Sequence, residues 1–171
     1  MNGPFTEYGS HGKILIKGDY VNDEKSGVWE HSTSEGIQFK YDYTTDDLLF
    51  FNPDYDLNYI TVEDGDTLKQ TLDKPCIYLG GLYGLYEHIG KNFFYPDAAK
   101  AANKQGKVYV TFMVGTDGKI KDATILRGLG YGLDEEALRI IQSLPDKWSP
   151  AVFEGKKIEV RYNIPIVCRL Q

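Results

Sequence analysis

A run of alternating apolar and polar residues that ends in a tight turn constrains the fold of this chain more than any other feature. From Lys107 onward, apolar residues recur at every second position, which gives a strand one apolar face. These apolar residues are Val108, Val110, Phe112 and Val114. The turn sequence Gly115-Thr116-Asp117-Gly118 follows, and Asp-Gly is a strong hairpin signal. With a return strand over 119–127, the pattern predicts an antiparallel hairpin with one buried face.

Helical patterns flank this hairpin on both sides. Before it, Pro96 suits the first position of a helix, and Gly106 is a plausible stop. After it, a second helix is predicted from about Leu133 to Pro145, with acidic residues in its first turn. Its apolar residues at helical spacing are Ala137, Leu138, Ile141 and Leu144. We expect Trp148, which follows this helix, to be buried between it and the sheet.

The last strand is predicted over 157–170 and holds the candidate functional residues. Apolar residues alternate with polar ones until Pro165, which cannot donate to a ladder and therefore indicates an edge strand or a bulge. The free backbone groups of an edge strand can accept a peptide by β-addition. Alternatively, Pro165 or the N-terminal half of the chain covers the edge, since proteins protect exposed edges. The predicted partner-binding residues are Ile158, Glu159, Val160, Arg161, Tyr162, Asn163 and Ile164.

Together these features resemble the C-terminal domain of TonB and its relatives. The matching pattern consists of Tyr95-Pro96, Gly106-x-Val108-x-Val110-x-Phe112-x-Val114, Asp117-Gly118-x-Ile120, Leu133-Asp134-x-x-Ala137, Lys147-Trp148-x-Pro150, Gly155-Lys156 and Tyr162-x-Ile164-Pro165-Ile166. Residues 80–92 resemble the lead-in helix found in many relatives. The resemblance implies an α+β fold with two helices on one face of a small antiparallel sheet. It also implies a periplasmic location and a last strand that receives a short segment of an outer-membrane receptor.

Residues 1–52 show a weak internal repeat. The segment Gly3-Pro4-Phe5-Thr6-Glu7 is echoed 24 residues later by Gly27-Val28-Trp29-Glu30-His31. Glycine-aromatic units separated by polar turns favour short antiparallel hairpins at a fixed period. The pattern resembles degenerate MORN-type repeats, which implies a β-ribbon with an interaction surface. The predicted organisation is therefore a MORN-like segment (1–52), a linker with a lead-in helix (53–94) and a TonB C-terminal-like domain (95–171).

Composition narrows the classes of function. The net charge of −6 argues against nucleic-acid binding, which needs a basic surface. We find neither the membrane helix nor the proline-rich spacer of full-length TonB, because no run of about 18 apolar residues occurs and the 7 prolines are scattered. The first four residues show no signal peptide. If the TonB resemblance holds, we expect the natural N-terminus to have been removed, although the sequence by itself equally fits a cytoplasmic protein.

No residues have the spacing of a catalytic, cofactor or metal site, so we predict a protein that is not an enzyme. The glycines of Gly128-Leu129-Gly130-Tyr131-Gly132 have the wrong spacing for a dinucleotide fingerprint. The acidic segment Glu63-Asp64-Gly65-Asp66 lacks the rest of a calcium loop. Cys76 and Cys168 could form a disulfide or remain two buried thiols. Three histidines lack ligand spacing with one another or with a cysteine: His11, His31 and His88.

Two functions fit these observations. In the first, the chain is a cell-envelope protein whose TonB-like domain binds a peptide strand of an outer-membrane receptor or periplasmic partner, in the context of TonB-dependent transport. In the second, it is a structural scaffold that uses the same edge strand to form a homodimer.

Overall fold

The computed structural model describes residues 1–52, 59–63, 66–68, 72–145 and 148–170. The chain divides into two compact units, Met1–Asp56 and Leu57–Gln171, which we call the N-terminal unit and the C-terminal unit. Within the described ranges, no helix has both the length and the apolar character needed to cross a membrane.

The N-terminal unit is an antiparallel sheet in which every strand pairs with its neighbour in sequence. Its strands are β1 (Gly3–Tyr8), β2 (Ile14–Val21), β3 (Glu24–Thr33), β4 (Gly36–Asp42) and β5 (Asp47–Phe51). A short 3₁₀ turn, Ser10–Gly12, lies between β1 and β2. The arrangement agrees with the antiparallel hairpins expected from the glycine-aromatic repeat. The resemblance to MORN-type repeats stays a prediction.

Aromatic rings cover one face of this sheet. Trp29 is only 1% exposed, and its ring lies 5.6 Å from that of Phe5 and 5.0 Å from that of Tyr20. A Cβ atom at Gly18 would lie 2.3 Å from the Trp29 ring, so only glycine lets β2 pass this close to the indole. Gly18 and Trp29 therefore fit together as one packing unit.

Charged residues form a row on the opposite face. Glu30 lies across from Lys17 on β2 and Lys40 on β4, with N–O distances of 3.1 and 2.9 Å. Burial opposes ionisation of Glu30, but hydrogen bonds and charges from the two lysines outweigh it and lower the pKa of its carboxyl. This cross-strand row is typical of the charge pairs that stabilise sheet register.

We expect the N-terminal unit to lose stability as the pH falls below 6.5. Burial, with a smaller effect from Lys25, lowers the pKa of His31 to about 3. Between about pH 6.5 and 3 the unfolded chain therefore binds one more proton than the folded chain. The free energy of unfolding decreases as the pH is lowered through that window. Moving from pH 7 to pH 5 should cost about 2 kcal/mol. Urea titrations followed by NMR at the β3 amides measure this loss.

The matched variant for this experiment is His31→Phe. The imidazole stacks on Phe39 with ring centroids 4.3 Å apart, and a phenyl ring can keep that contact without titrating. The variant should lose about 2 kcal/mol less than wild type between the two pH values. Equal losses in both proteins would rule out His31 as the titrating group.

The C-terminal unit has a mixed architecture. Its elements in chain order are β6 (Tyr59–Glu63), β7 (Asp66–Leu68), β8 (Ile77–Tyr78), α1 (Gly81–Asn92), α2 (Asp97–Ala101), β9 (Gly106–Val114), β10 (Ile120–Arg127), α3 (Leu133–Gln142), β11 (Trp148–Ser149), β12 (Ala151–Phe153), β13 (Lys156–Ile158) and β14 (Val160–Cys168). The main sheet is antiparallel with the strand order β10-β9-β14-β6-β7. Two small sheets pair β11 with β8 and β12 with β13. The predicted α+β class is confirmed.

One face of β9 and β14 forms the core with α3. The four apolar residues predicted for the buried face of β9 are all fully buried. From α3, Leu133, Ala137 and Ile141 join the same cluster. Leu138 is only partly buried, whereas Ile140, which the sequence analysis omitted, is fully buried. The predicted hairpin and its inward face are therefore confirmed.

The helix ends differ from the prediction. Pro96 precedes α2 as its cap, and α2 ends at Ala101, well before Gly106. Asn103 takes a left-handed φ of 47°, which turns the chain away from the helix. The second helix, α3, ends at Gln142 rather than at Pro145, and Ser143 follows with its hydroxyl donating to the carbonyl of Ile140.

Trp148 is buried against the sheet, and its predicted burial is confirmed. It is 2% exposed, and its ring lies 5.4 Å from Phe112 and 4.7 Å from Tyr162. Its backbone N–H donates to the carbonyl of Gly118 at 2.9 Å. A Cβ atom at Gly118, where φ is 74°, would lie 2.1 Å from the Trp148 carbonyl oxygen. The β9–β10 turn and the indole are therefore fixed together.

Trp148→Ala should lower the free energy of unfolding by about 3–5 kcal/mol because it leaves a large cavity. Trp148→Phe should cost about 1–2 kcal/mol, since the indole N–H has no hydrogen-bond partner among the described residues and its loss leaves no group unpaired. Urea denaturation of both variants measures the difference. A loss below about 1 kcal/mol in the alanine variant would contradict the central role of the indole.

Candidate functional site

The strand that holds most of the predicted site, β14, runs along β9 for its whole length. The register pairs Val160 with Val114 at one end and Cys168 with Gly106 at the other. Alternate residues point into the core and are buried: Val160, Tyr162, Ile164, Ile166 and Cys168. The residues between them lie on the opposite face, where Val167 is 46% exposed. The predicted alternation is thus confirmed.

The other side of β14 is not a free edge along its whole length. Tyr59 lies opposite Tyr162 and Thr61 lies opposite Val160, so β6 pairs with β14 over Val160–Tyr162. The prediction of an open edge strand is wrong for these three residues. The covering strand comes from the segment assigned to the linker. Its sequence, Tyr-Ile-Thr-Val-Glu, is rich in strand-forming residues, and this pattern could have revealed it.

Beyond Tyr162, the described residues pair β14 with β9 alone. In an antiparallel ladder, successive residues direct their N–H and C=O groups to opposite sides. Pro165 lies opposite Tyr109 and has no backbone N–H to donate. The ladder with β9 loses no hydrogen bond if the backbone nitrogen and carbonyl of Pro165 point away from β9. Asn163 and Val167, two residues to either side, then face away as well. Within the part of the chain that the structure describes, these outward groups of Asn163–Cys168 have no strand beside them.

Two predicted site residues lie outside β14. Ile158 belongs to β13 and pairs with Ala151 in a separate hairpin. Glu159 lies between β13 and β14 and accepts a hydrogen bond from the Lys121 ammonium at 2.7 Å. The structure therefore brings Val160–Ile164 together in one strand and separates Ile158 and Glu159 from it.

Two buried polar atoms on the face opposite the core lack a hydrogen-bond partner among the described residues. Thr111 on β9 faces Asn163 on β14. Neither the Thr111 hydroxyl nor the Asn163 side-chain carbonyl has a hydrogen-bond partner among the described residues, although both atoms are buried. Buried polar atoms without partners are uncommon.

Sequence reasoning did not find two grooves at the C-terminal end of β14. One has a volume of about 700 Å³. It is lined by residues of α1, by Lys100 of α2, by the end of β14 and by Leu170, which follows β14. The other, of about 340 Å³, is lined in part by Lys107. Both grooves share Val167, Cys168 and Arg169. They depend on tertiary packing, for which the sequence pattern holds no local indication.

The glycine-rich loop and the two cysteines, which the sequence analysis considered for chemistry, can be placed in the structure. Within the described ranges, no cluster of His, Cys, Asp or Glu could hold a metal ion. The Asp134 carboxylate accepts hydrogen bonds from the N–H groups of Leu129 and Gly130, which holds the glycine-rich loop. Cys76 and Cys168 are free and buried, and burial raises the pKa of the Cys168 thiol to about 11. Such thiols are poor nucleophiles at neutral pH.

Comparison with known proteins identifies the family that part of the chain resembles. The NMR structure of the C-terminal domain of Helicobacter pylori TonB is 24% identical, with a TM-score of 0.41, over 53% of this chain and 80% of that one. No curated protein matches the chain. The family described as Gram-negative bacterial TonB protein C-terminal matches residues 91–170. The match confirms the resemblance that begins at Tyr95, and residues 91–170 are thus a TonB C-terminal-like segment.

Proposed function

We propose that this chain is a protein-interaction component of the Gram-negative cell envelope that holds an extended segment of a partner protein by β-addition to β14. The proposal rests on one observation above all. The family match over residues 91–170 contains a strand that pairs with β9 on one side, and from Asn163 to Cys168 its other side has no strand partner among the described residues. The site offers main-chain hydrogen bonds and shape, and no chemistry for bond breaking.

The geometry of β14 supports this mode of binding. Its inward residues are packed in the core, and its register with β9 is continuous over nine residue pairs, so β14 is held in an extended conformation. An added strand would form main-chain hydrogen bonds with Asn163 and Val167, while the carbonyl of Pro165 accepts one more. Side chains of the partner would lie beside Asn163 and Val167 on the face opposite the core.

The family match favours a partner from the envelope. The resemblance to TonB implies an outer-membrane receptor, or a periplasmic protein with a similar extended segment, in the context of TonB-dependent transport. On this proposal the chain acts in the periplasm and is not an enzyme.

We expect Asn163→Pro to bind the partner about tenfold more weakly than wild type while keeping its fold. The substitution removes one outward donor and places a ring against the incoming strand, and one lost hydrogen bond with its steric cost is of this size. The test is calorimetric titration with a panel of synthetic peptides copied from the N-terminal segments of outer-membrane receptors. Circular dichroism checks the fold.

Asn163→Ala is the matched control. The Asn163 side-chain carbonyl has no described partner, so the alanine variant should bind within about twofold of wild type. Equal binding by the two variants would exclude β-addition at this edge. Sedimentation of the same proteins tests self-association: a dimer that Asn163→Pro abolishes would favour the scaffold function instead.

A further inference from the structure

We propose that the two grooves at the C-terminal end of β14 bind an acidic and partly apolar stretch of the same partner peptide. This inference rests on the proposed function, because it assigns the chemistry of the residues that flank the paired strand. It adds a specificity site that main-chain pairing, which is tolerant of sequence, does not provide.

The grooves lie where an added strand would lead. They meet at Val167, Cys168 and Arg169, and the segment of β14 that pairs with β9 alone among the described residues starts at Asn163. A strand advances about 3.3 Å per residue, so a peptide paired opposite Asn163 reaches Arg169 after about six residues. A partner segment of ordinary strand length therefore spans both the edge and the grooves.

The charge of the grooves is positive. Their described linings contain Lys100, Lys107 and Arg169, and among these described residues there is no aspartate or glutamate. Lys100 forms an ion pair with Asp97 at 3.1 Å, and the Asp97 side chain is 99% exposed. Neither Lys107 nor Arg169 forms an ion pair with any residue that the structure describes. Two cations are therefore available to a carboxylate.

This positive charge is local rather than a property of the molecule. The chain carries a net charge of −6, and the C-terminal unit has 15 basic and 14 acidic side chains, a net charge of +1. The described lining of the grooves, with three cations and no acidic side chain, is more positive than the whole chain and than the C-terminal unit. Charge complementarity of this kind contributes partner selection and association rate more than affinity.

Apolar side chains line the same surface. The larger groove contains Ile89, Phe93 and Leu170, all half-buried, together with the exposed Val167. An acidic residue next to an apolar one would place a carboxylate near Arg169 or Lys107 and a hydrophobic group in the groove. A free anion would leave this apolar lining unfilled, which favours a peptide.

The experiment uses the full chain and three blocked nonapeptides of alternating threonine and valine. The first carries two glutamates at its C-terminal end, the second carries them at its N-terminal end, and the third has glutamines in their place. Calorimetry gives the affinities, and ¹H–¹⁵N spectra show whether the amides of Val167–Leu170 shift. The two acidic probes also report the direction of the bound strand.

We expect one acidic peptide to bind about three- to tenfold more tightly than the glutamine peptide, which is the range for two exposed charge pairs. The double variant Lys107→Gln/Arg169→Gln should remove this preference, as should 0.5 M salt. The control Lys119→Gln, an exposed lysine in the β9–β10 turn, should keep it.

Other results would overturn the inference. If all three peptides bind equally, and Asn163→Pro weakens all of them, β-addition stands and the acidic specificity fails. If no peptide binds but inorganic phosphate, or vesicles of phosphatidylglycerol, shifts the Val167–Leu170 amides, the grooves hold a simple anion or a lipid headgroup and not a peptide. If none of these probes binds, both the inference and β-addition to these sequences fail.

Discussion

The ladder between β9 and β14 is the interaction on which the rest of the C-terminal unit depends. Nine residue pairs join the two strands, and this register decides which side chains enter the core. A shift of either strand by one residue would turn the buried set of that strand outward. The packing of Trp148 against Phe112 and Tyr162, one ring from each strand, is possible only in the observed register.

The same ladder determines what β14 can offer to a partner. Because its inward residues and half of its backbone groups are committed to β9, the remaining groups all point to the other side. There, β6 covers the first three residues and Pro165 removes one donor from the rest. On the proposed mode of binding, specificity would come from elements beside the ladder, and the grooves near Arg169 lie next to it.

Much of the C-terminal unit could be predicted from local pattern. The inward face of β9, the Asp-Gly turn and the burial of Trp148 all depend on period-two alternation and on residue size, which a single sequence displays. The end of α2 could not be predicted, because the left-handed conformation of Asn103 interrupts a segment of good helix formers. The pairing of β6 with β14 depends on residues about 100 positions apart, and nothing local indicates which strand a short segment such as Tyr59–Glu63 will join. The grooves similarly depend on how α1 and α2 lie beside the end of β14.

The covering of Val160–Tyr162 by β6 has a consequence for competition. A strand tethered to its own binding site acts at an effective concentration on the order of millimolar. A second copy of the chain, or a weakly binding peptide, must exceed this value to take the place of β6, so accidental strand exchange is suppressed. A partner that pairs from Asn163 onward would not compete with β6 for Val160–Tyr162. On the proposed mode of binding, β6 would thus leave partners the end of β14 where the cationic grooves lie.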